Sequence, residues 1–191
     1  SKRRDFTINA IYLDIKGKIY DPQLGIRDLN NQVVKFIGDP QKRIEEDYLR
    51  IIRFIRFSIE YQSKTNSATL QAIKLNLDGI KKISKERILS ELLKILRTKN
   101  FVDLNKNEKL KDIFSLIFPE FKYLMRLDKL NELNNKSKID KITLLSILLI
   151  DDSNNHEYFS HKYNVSNDLK EILNLTAKNF IKIQKNKEFL V

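Results

Sequence analysis

Along residues 6–37 apolar and polar positions alternate in short runs. Phe6, Ile8, Ala10 and Tyr12 form one, Ile19 follows Gly17, and Val33, Val34, Phe36 and Ile37 form another. A period of two predicts strands joined by turns. Three strands make too small a sheet to stand alone, so this segment reads as the remnant of a larger one whose partner strands lie upstream. From Asp39-Pro40 the period lengthens, because Asp suits a helix N-cap and Pro the first helical position. Ile44, Tyr48, Ile51, Ile55 and Ile59 recur at four- and three-residue steps and predict one helix over 40–61. Ser84 opens a second strong helix with Ile88, Leu92, Ile95 and Leu96 as its stripe. Weaker helical patterns cover 66–76, 106–118, 138–150 and 166–184, with no internal repeat and no long linker. The expected fold class is mainly α, a short N-terminal β remnant followed by helices to the end.

Composition narrows the function classes. The 191 residues are 41% apolar, enough for a core. The 36 Lys and Arg against 25 acids give a net charge of +11, which favours a polyanionic partner. A chain this rich in Lys, Asn and Ile also follows from an AT-rich genome, so the pattern of charges has to decide. The absence of Cys excludes disulfides, thiolate catalysis and Cys-ligated zinc, and fits a reducing cytosol. The longest apolar stretch, Ile142 to Ile150, is far short of the roughly 20 residues of a membrane span, and Ser-Lys-Arg-Arg-Asp at the start lacks the apolar core of a signal peptide. A soluble, cytoplasmic protein with no membrane partner is expected. The chain starts without Met and runs straight into a patterned segment, which suggests an upstream part.

The segment richest in chemistry is Glu45-Glu46-Asp47-Tyr48-Leu49-Arg50-Ile51-Ile52-Arg53-Phe54-Ile55-Arg56-Phe57. Three-residue spacing makes Asp47 and Arg50 neighbours on one side of a helix. Ionised Asp only accepts hydrogen bonds and Arg only donates. A base with an amino donor beside a ring-nitrogen acceptor, as in cytosine and adenine, bonds to both together; guanine and uracil present the opposite pairing. Arg50, Arg53 and Arg56 lie opposite the Ile stripe among large apolar residues, where they suit a triphosphate or a neighbouring carboxylate. A surface helix with an Asp/Arg ion pair is the plainer reading of the same spacing.

Arg3-Arg4-Asp5-Phe6-Thr7-Ile8-Asn9-Ala10 resembles the RRDxTxNA motif of class II tRNA nucleotidyltransferases and bacterial poly(A) polymerases. Asp21-Pro22 with Gly25 and Asp28-Leu29 resembles the next family motif. Glu46-Asp47-x-x-Arg50-x-x-Arg53 resembles the nucleotide-selecting one, and Arg87-x-x-x-Glu91 the one that buttresses it. The resemblance covers residues 3 to about 97 in family order; beyond that only the helical character agrees. It implies three regions: the C-terminal part of a nucleotidyltransferase head (1–38), a helical, nucleotide-selecting neck (39–100) and a helical body that binds RNA (101–191).

The resemblance also implies roles. Arg4 contacts the incoming triphosphate and Asp5 lies near the ribose 2′-hydroxyl. Asp47 and Arg50 act as a protein template for C and A, Arg53 and Arg56 help hold the nucleotide, and Arg87 and Glu91 are structural. Leu24 stands where the family often has a second Gly and Tyr48 where it often has Pro, which puts loop geometry rather than chemistry in doubt. The complete enzyme adds C and A to the 3′ end of tRNA from CTP and ATP. Its Mg2+ is held by an Asp-x-Asp pair upstream of the RRDxTxNA motif. That pair is absent from these residues, so no metal ligand or catalytic carboxylate is assigned and the chain alone is expected to be inactive. A poly(A) polymerase fragment and a non-catalytic RNA-binding module are the alternatives. Asp151-Asp152 reads as a solvated turn rather than a metal site, and His156 and His161 lack a partner pattern. Lys136, Lys138, Lys141, Lys178, Lys182, Lys185 and Lys187 are candidate phosphate contacts.

Overall fold

A computed structural model describes residues 1, 3–132 and 139–185. The fold is mainly α, as expected, but the N-terminal segment is less strand-like than its alternation implies. Only Tyr12–Leu13 (β1) and Ile19–Tyr20 (β2) pair, as an antiparallel hairpin. Thr7–Asn9 forms a 3-10 turn rather than a strand, and Phe6 meets Phe36 through an isolated antiparallel bridge. The turn still buries Phe6, Ile8 and Ala10 in the core, as the alternation implies, but it buries Thr7 between them as well. Gly25–Asn30 is a helix (α1), so the change from sheet to helix does not wait for residue 39.

The helix expected over 40–61 is two helices, Pro40–Glu46 (α2) and Leu49–Glu60 (α3). Asp39 caps α2 by accepting from the Lys42 amide at 2.9 Å. Asp47 then leaves helical geometry (φ −156°, ψ 104°), its N–H closing α2 on the Ile44 carbonyl while its Oδ1 accepts from the Leu49 amide at 3.1 Å. The Ile stripe runs through this break because apolar spacing reports which side chains face the core, not whether the hydrogen-bond ladder is continuous.

Ser67–Leu75 (α4), capped by Asn66, and Lys85–Leu96 (α5), capped by Ser84, follow the sequence reading closely. A 3-10 segment, Leu77–Lys82, joins them, and another spans Phe101–Lys106. Glu108–Ile117 (α6), Arg126–Glu132 (α7), Lys141–Leu149 (α8), Asn155–Lys162 (α9) and Asn167–Lys185 (α10) complete the chain. α7 and α9 escape the sequence reading because each is two turns with no long apolar stripe.

α3 lies at the centre. It packs on α5, α2 and α6 and buries Leu49, Ile51, Ile52, Phe54, Ile55 and Ile59. Burial of such side chains contributes about 1.5–3 kcal/mol each. Its middle and C-terminal half are fixed to the start of the chain by aromatic rings: Phe36 stacks on Phe54 at 5.9 Å, and Phe6 meets Phe36 at 4.8 Å and Phe57 at 5.4 Å. This cluster carries the first segment onto the exposed, charged side of α3.

Candidate nucleotide site

The RRDxTxNA-like segment divides its side chains by direction. Asn9 Oδ1 accepts from the Phe6 amide at 3.2 Å and closes the 3-10 turn. Thr7 Oγ1 donates to Asp28 Oδ2 at 2.7 Å in a buried contact. α1 docks on this turn through the second motif. Asp21 accepts from the Gly25 and Ile26 amides at 2.7 and 2.9 Å, and a Cβ on Gly25 would lie 2.2 Å from the Thr7 carbonyl oxygen. That approach explains the glycine. Leu24 holds φ +56°, the left-handed conformation that glycine adopts freely and that costs an ordinary L-residue roughly 1–2 kcal/mol. The loop geometry in doubt is therefore kept with Leu in place.

Arg3 and Arg4 remain exposed and, with Ser1 and Tyr12, line an open cleft of about 640 Å3. Asp5 points the other way. Its Oδ1 accepts from Arg50 Nε at 2.8 Å and its Oδ2 lies 2.8 Å from Arg53 Nε, the latter an ion pair whose N–H is not aligned on the oxygen. Arg50 Nη1 also donates to Glu46 Oε2 at 2.7 Å and to the Arg43 carbonyl at 2.5 Å. Arg43 pairs with Glu46 and donates from Nη2 to the Arg4 carbonyl at 2.8 Å. Glu46 is held below the usual carboxylate range, chiefly by the Arg50 hydrogen bond. Burial alone would lower the Arg50 pKa, but hydrogen bonds to Glu46 and Asp5 outweigh it and raise it.

Asp47 and Arg50 are not neighbours on one helix, since Asp47 sits at the break before α3. Its Oδ2 accepts from Arg87 Nη2 at 2.8 Å, across from α5. Tyr48 adopts φ −62°, ψ −18°, a φ that proline also takes, so the break forms without proline. Its ring lies on Gly79, where an added Cβ would come 2.0 Å from Cδ1, and the Lys82 ammonium sits 5.4 Å from the ring centroid. One turn beyond Arg87, buried Glu91 accepts from Arg56 Nε at 3.1 Å and from Lys94 Nζ at 2.8 Å. The Arg56 guanidinium stacks on Phe57 at 4.1 Å. Arg87 and Glu91 thus brace Asp47 and Arg56, as a buttressing pair would.

Asp5, Arg50 and Arg53 therefore meet, joined by Glu46 and Arg43; Asp47 is held beside them by α5, and Arg56 is turned to Glu91. Sequence reasoning gave no role to Arg43 or Glu46. The i,i+4 spacing of Glu46 and Arg50 was the signal available for the latter. Among the described residues no group of three or more His, Asp or Glu converges as a metal site. The acids that are near are already paired with Arg or Thr, so these residues do not fit a magnesium ion. Asp151 forms a turn, as expected, yet it is buried, its Oδ1 accepting from the Ser153 amide at 2.8 Å. His156 is buried and His161 exposed. Lys178 and Lys182 are exposed on α10 and Lys141 is half-buried. Lys136, Lys138 and Lys187 lie outside the described residues, as does the Lys185 side chain.

The head-piece turn, the open cleft and the braced helix define a class by fold, that of helical proteins with a β-hairpin head-piece. Residues 1–35 match the family described as "Poly A polymerase head domain", and residues 64–125 match "Probable RNA and SrmB- binding site of polymerase A". The CCA-adding enzyme of Lactobacillus helveticus (strain DPC 4571) is 47% identical over 94 residues, 49% of this chain and 24% of the relative. That of Staphylococcus aureus (strain Newman) is 34% identical over 150 residues, 78% of this chain and 36% of the relative. The Bacillus stearothermophilus CCA-adding enzyme, solved in complex with CTP, shares the fold with a TM-score of 0.68 at 24% identity, covering 96% of this chain and 47% of that one. The chain belongs to the family of CCA-adding enzymes and poly(A) polymerases. It spans a quarter to about a third of the length of these two curated relatives, 24% and 36%. No helix among the described residues is long and apolar enough to cross a membrane.

Proposed function

We propose that these residues are the nucleotide-selecting and RNA-holding part of a template-independent nucleotidyltransferase that adds C and A to the 3′ end of tRNA in the cytoplasm. Residues 1–38 complete the head, 39–100 form the neck that reads the base, and 101–191 form the RNA-binding body. The observation that carries the reading is that Asp47 and Arg50, three residues apart, are each fixed by different partners, Arg87 for one and Asp5 with Glu46 for the other. Asp47 retains lone pairs for the amino group of C or A. Arg50 offers the remaining edge of its guanidinium to the ring nitrogen. Arg4 in the open cleft takes the triphosphate, and Arg53 and Arg56 add positive potential behind it. Mg2+ supplies charge neutralisation at the transferred phosphoryl group and is held by residues outside this chain.

The test is a titration of the 15N-labelled chain with CTP, ATP, UTP and GTP, followed by amide and arginine Nε–H shifts. CTP and ATP are expected to bind more tightly than UTP and GTP by about tenfold, a preference that Asp47→Ala abolishes. A non-catalytic RNA-binding module would respond to RNA and be indifferent to Asp47→Ala. The family description naming poly(A) polymerase favours a second reading, an enzyme adding only A. A preference for ATP with CTP no better than UTP would select it.

A further inference from the structure

We infer that Arg43 is a positioning residue that holds the triphosphate end and the base end of the nucleotide site at a fixed separation, an inference that rests on the proposed function. In that reading Arg4 takes the triphosphate while Asp47 and Arg50 take the base, so one nucleotide has to meet the start of the chain and the break between α2 and α3 together. Arg43 ties these two places to each other. From α2 its Nη2 donates to the Arg4 carbonyl at 2.8 Å, and its Nη1 pairs with Glu46 Oε2. The same Glu46 oxygen accepts from Arg50 Nη1 at 2.7 Å, and Arg50 Nη1 also donates to the Arg43 carbonyl at 2.5 Å. The contacts thus run from the backbone of Arg4, through one guanidinium, to Arg50. Beside Arg4 the backbone is pinned again, the Asp5 carbonyl accepting from the Ile37 amide at 3.0 Å.

A surface ion pair between Arg43 and Glu46 would need none of this. The Arg43 side chain is instead only 14% exposed against 53% for Glu46, and its Nε is buried with no hydrogen-bond partner. Withdrawing that N–H from water unpaired carries a cost, which the two Nη contacts offset. A planar fork that spends one nitrogen on each of two acceptors fixes the distance between them as well as holding each. Arg50 meets residue 43 only at its backbone carbonyl, so replacing the Arg43 side chain leaves Arg50 all of its acceptors, Asp5, Glu46 and that carbonyl. The base end therefore survives the change, while Arg4 loses its register with it. Two ends held in register bind one ligand more tightly than two loose ends, because the second contact forms at high effective concentration. Loss of register removes that gain and spares the separate contacts.

The experiment compares CMP, UMP and CTP binding to the chain, to Arg43→Gln and to Arg43→Lys, followed by amide and Arg50 Nε–H shifts. CMP presents the base with one phosphate, and CTP adds the rest of the triphosphate. Arg43→Gln is expected to cut the CTP-to-CMP affinity ratio by about tenfold, with CMP affinity and the preference for CMP over UMP unchanged. Arg43→Lys keeps the charge but has no planar fork to span both acceptors, so it should fall with the glutamine variant. Full rescue by lysine overturns the inference, because a positive charge near the triphosphate then suffices. Equal losses for CMP and CTP, or no loss for either, overturn it too, and all three results leave the proposed function standing. An unaltered chain that gains nothing from CTP over CMP, or that does not prefer CMP to UMP, overturns the proposed function and the inference with it. Should Arg43→Gln lose its folded amide spectrum, Arg43→Lys decides by itself, a lowered ratio supporting the inference and an unchanged one overturning it.

Discussion

Two carboxylates are buried to the same depth in this protein, Glu91 on α5 and Glu120 between α6 and α7, each with 3% of its surface exposed. Glu91 holds Arg56 and Lys94, and the helix that carries it also delivers Arg87 to Asp47. Glu120 holds Lys162 and accepts from the Tyr163 hydroxyl at 3.4 Å, while its carbonyl accepts from the Asn155 side chain at 2.9 Å. Burial first, and then the Glu120 charge, push the Tyr163 phenol well above its usual range. One brace ends on the residues proposed to read a base, the other inside an aromatic cluster of Phe114, Phe118, Phe121, Phe159 and Tyr163. The lesson is that a buried charge signals a constraint, not a function. What distinguishes the two is whether the paired cation belongs to an element that also faces an open site.

Three measurements bear on this contrast, in decreasing size of effect. Glu91→Ala and Glu120→Ala should each lower the free energy of unfolding in urea by about 3 kcal/mol, because removing one partner leaves a cation in poor solvent. The loss should be larger for Glu91, since Arg56 is 16% exposed and Lys162 33%. Only Glu91→Ala should alter the shifts induced by CTP; equal changes from both would dissolve the distinction.

Gly79→Ala sharpens the same boundary. A methyl group 2.0 Å from the Tyr48 ring must displace it, at roughly 2 kcal/mol for overpacking. The displacement should move the Asp47 and Tyr48 amide resonances and weaken CTP binding, with the Phe159 and Tyr163 signals unchanged.

The smallest effect is acid sensitivity. Glu46 near the site and Asp151 in the body are both held below their ordinary values of 4.5 and 3.8. For Asp151 burial opposes this, and the Ser153 hydrogen bonds outweigh it. A depressed folded-state pKa stabilises the fold above the unfolded value, and that contribution disappears as pH falls through the folded one. Unfolding free energy should therefore decline as pH drops below these values. Glu46→Gln should flatten the upper part of the decline and Asp151→Asn the lower part.

Much of this was legible in the chain and some was not, for identifiable reasons. The caps Asp39 and Ser84 and the stripe Ile88, Leu92, Ile95 and Leu96 act within a few residues of themselves, so spacing and residue type revealed them. The candidate site was visible as motifs but not as geometry. Asp47 and Arg50 looked like neighbours on one helix, yet Asp47 breaks the helix and pairs with Arg87, 40 residues away. Arg56 looked free for a nucleotide, yet it meets Glu91, 35 residues away.

The sequence by itself determined the helical class, the extents of α4, α5, α6, α8 and α10 to within a few residues, the family and several of the polar residues at the site, because each depends on local periodicity, capping chemistry or a short motif. Tertiary structure alone decided which acid each arginine meets. Asp5 lies 45 residues from Arg50, and an ion pair forms where packing of Phe6, Phe36 and Phe54 brings two side chains within reach. Coulomb attraction between exposed charges far apart in sequence is too weak and too screened to choose among 36 cations and 25 anions unaided. The apolar core makes that choice by fixing distances first.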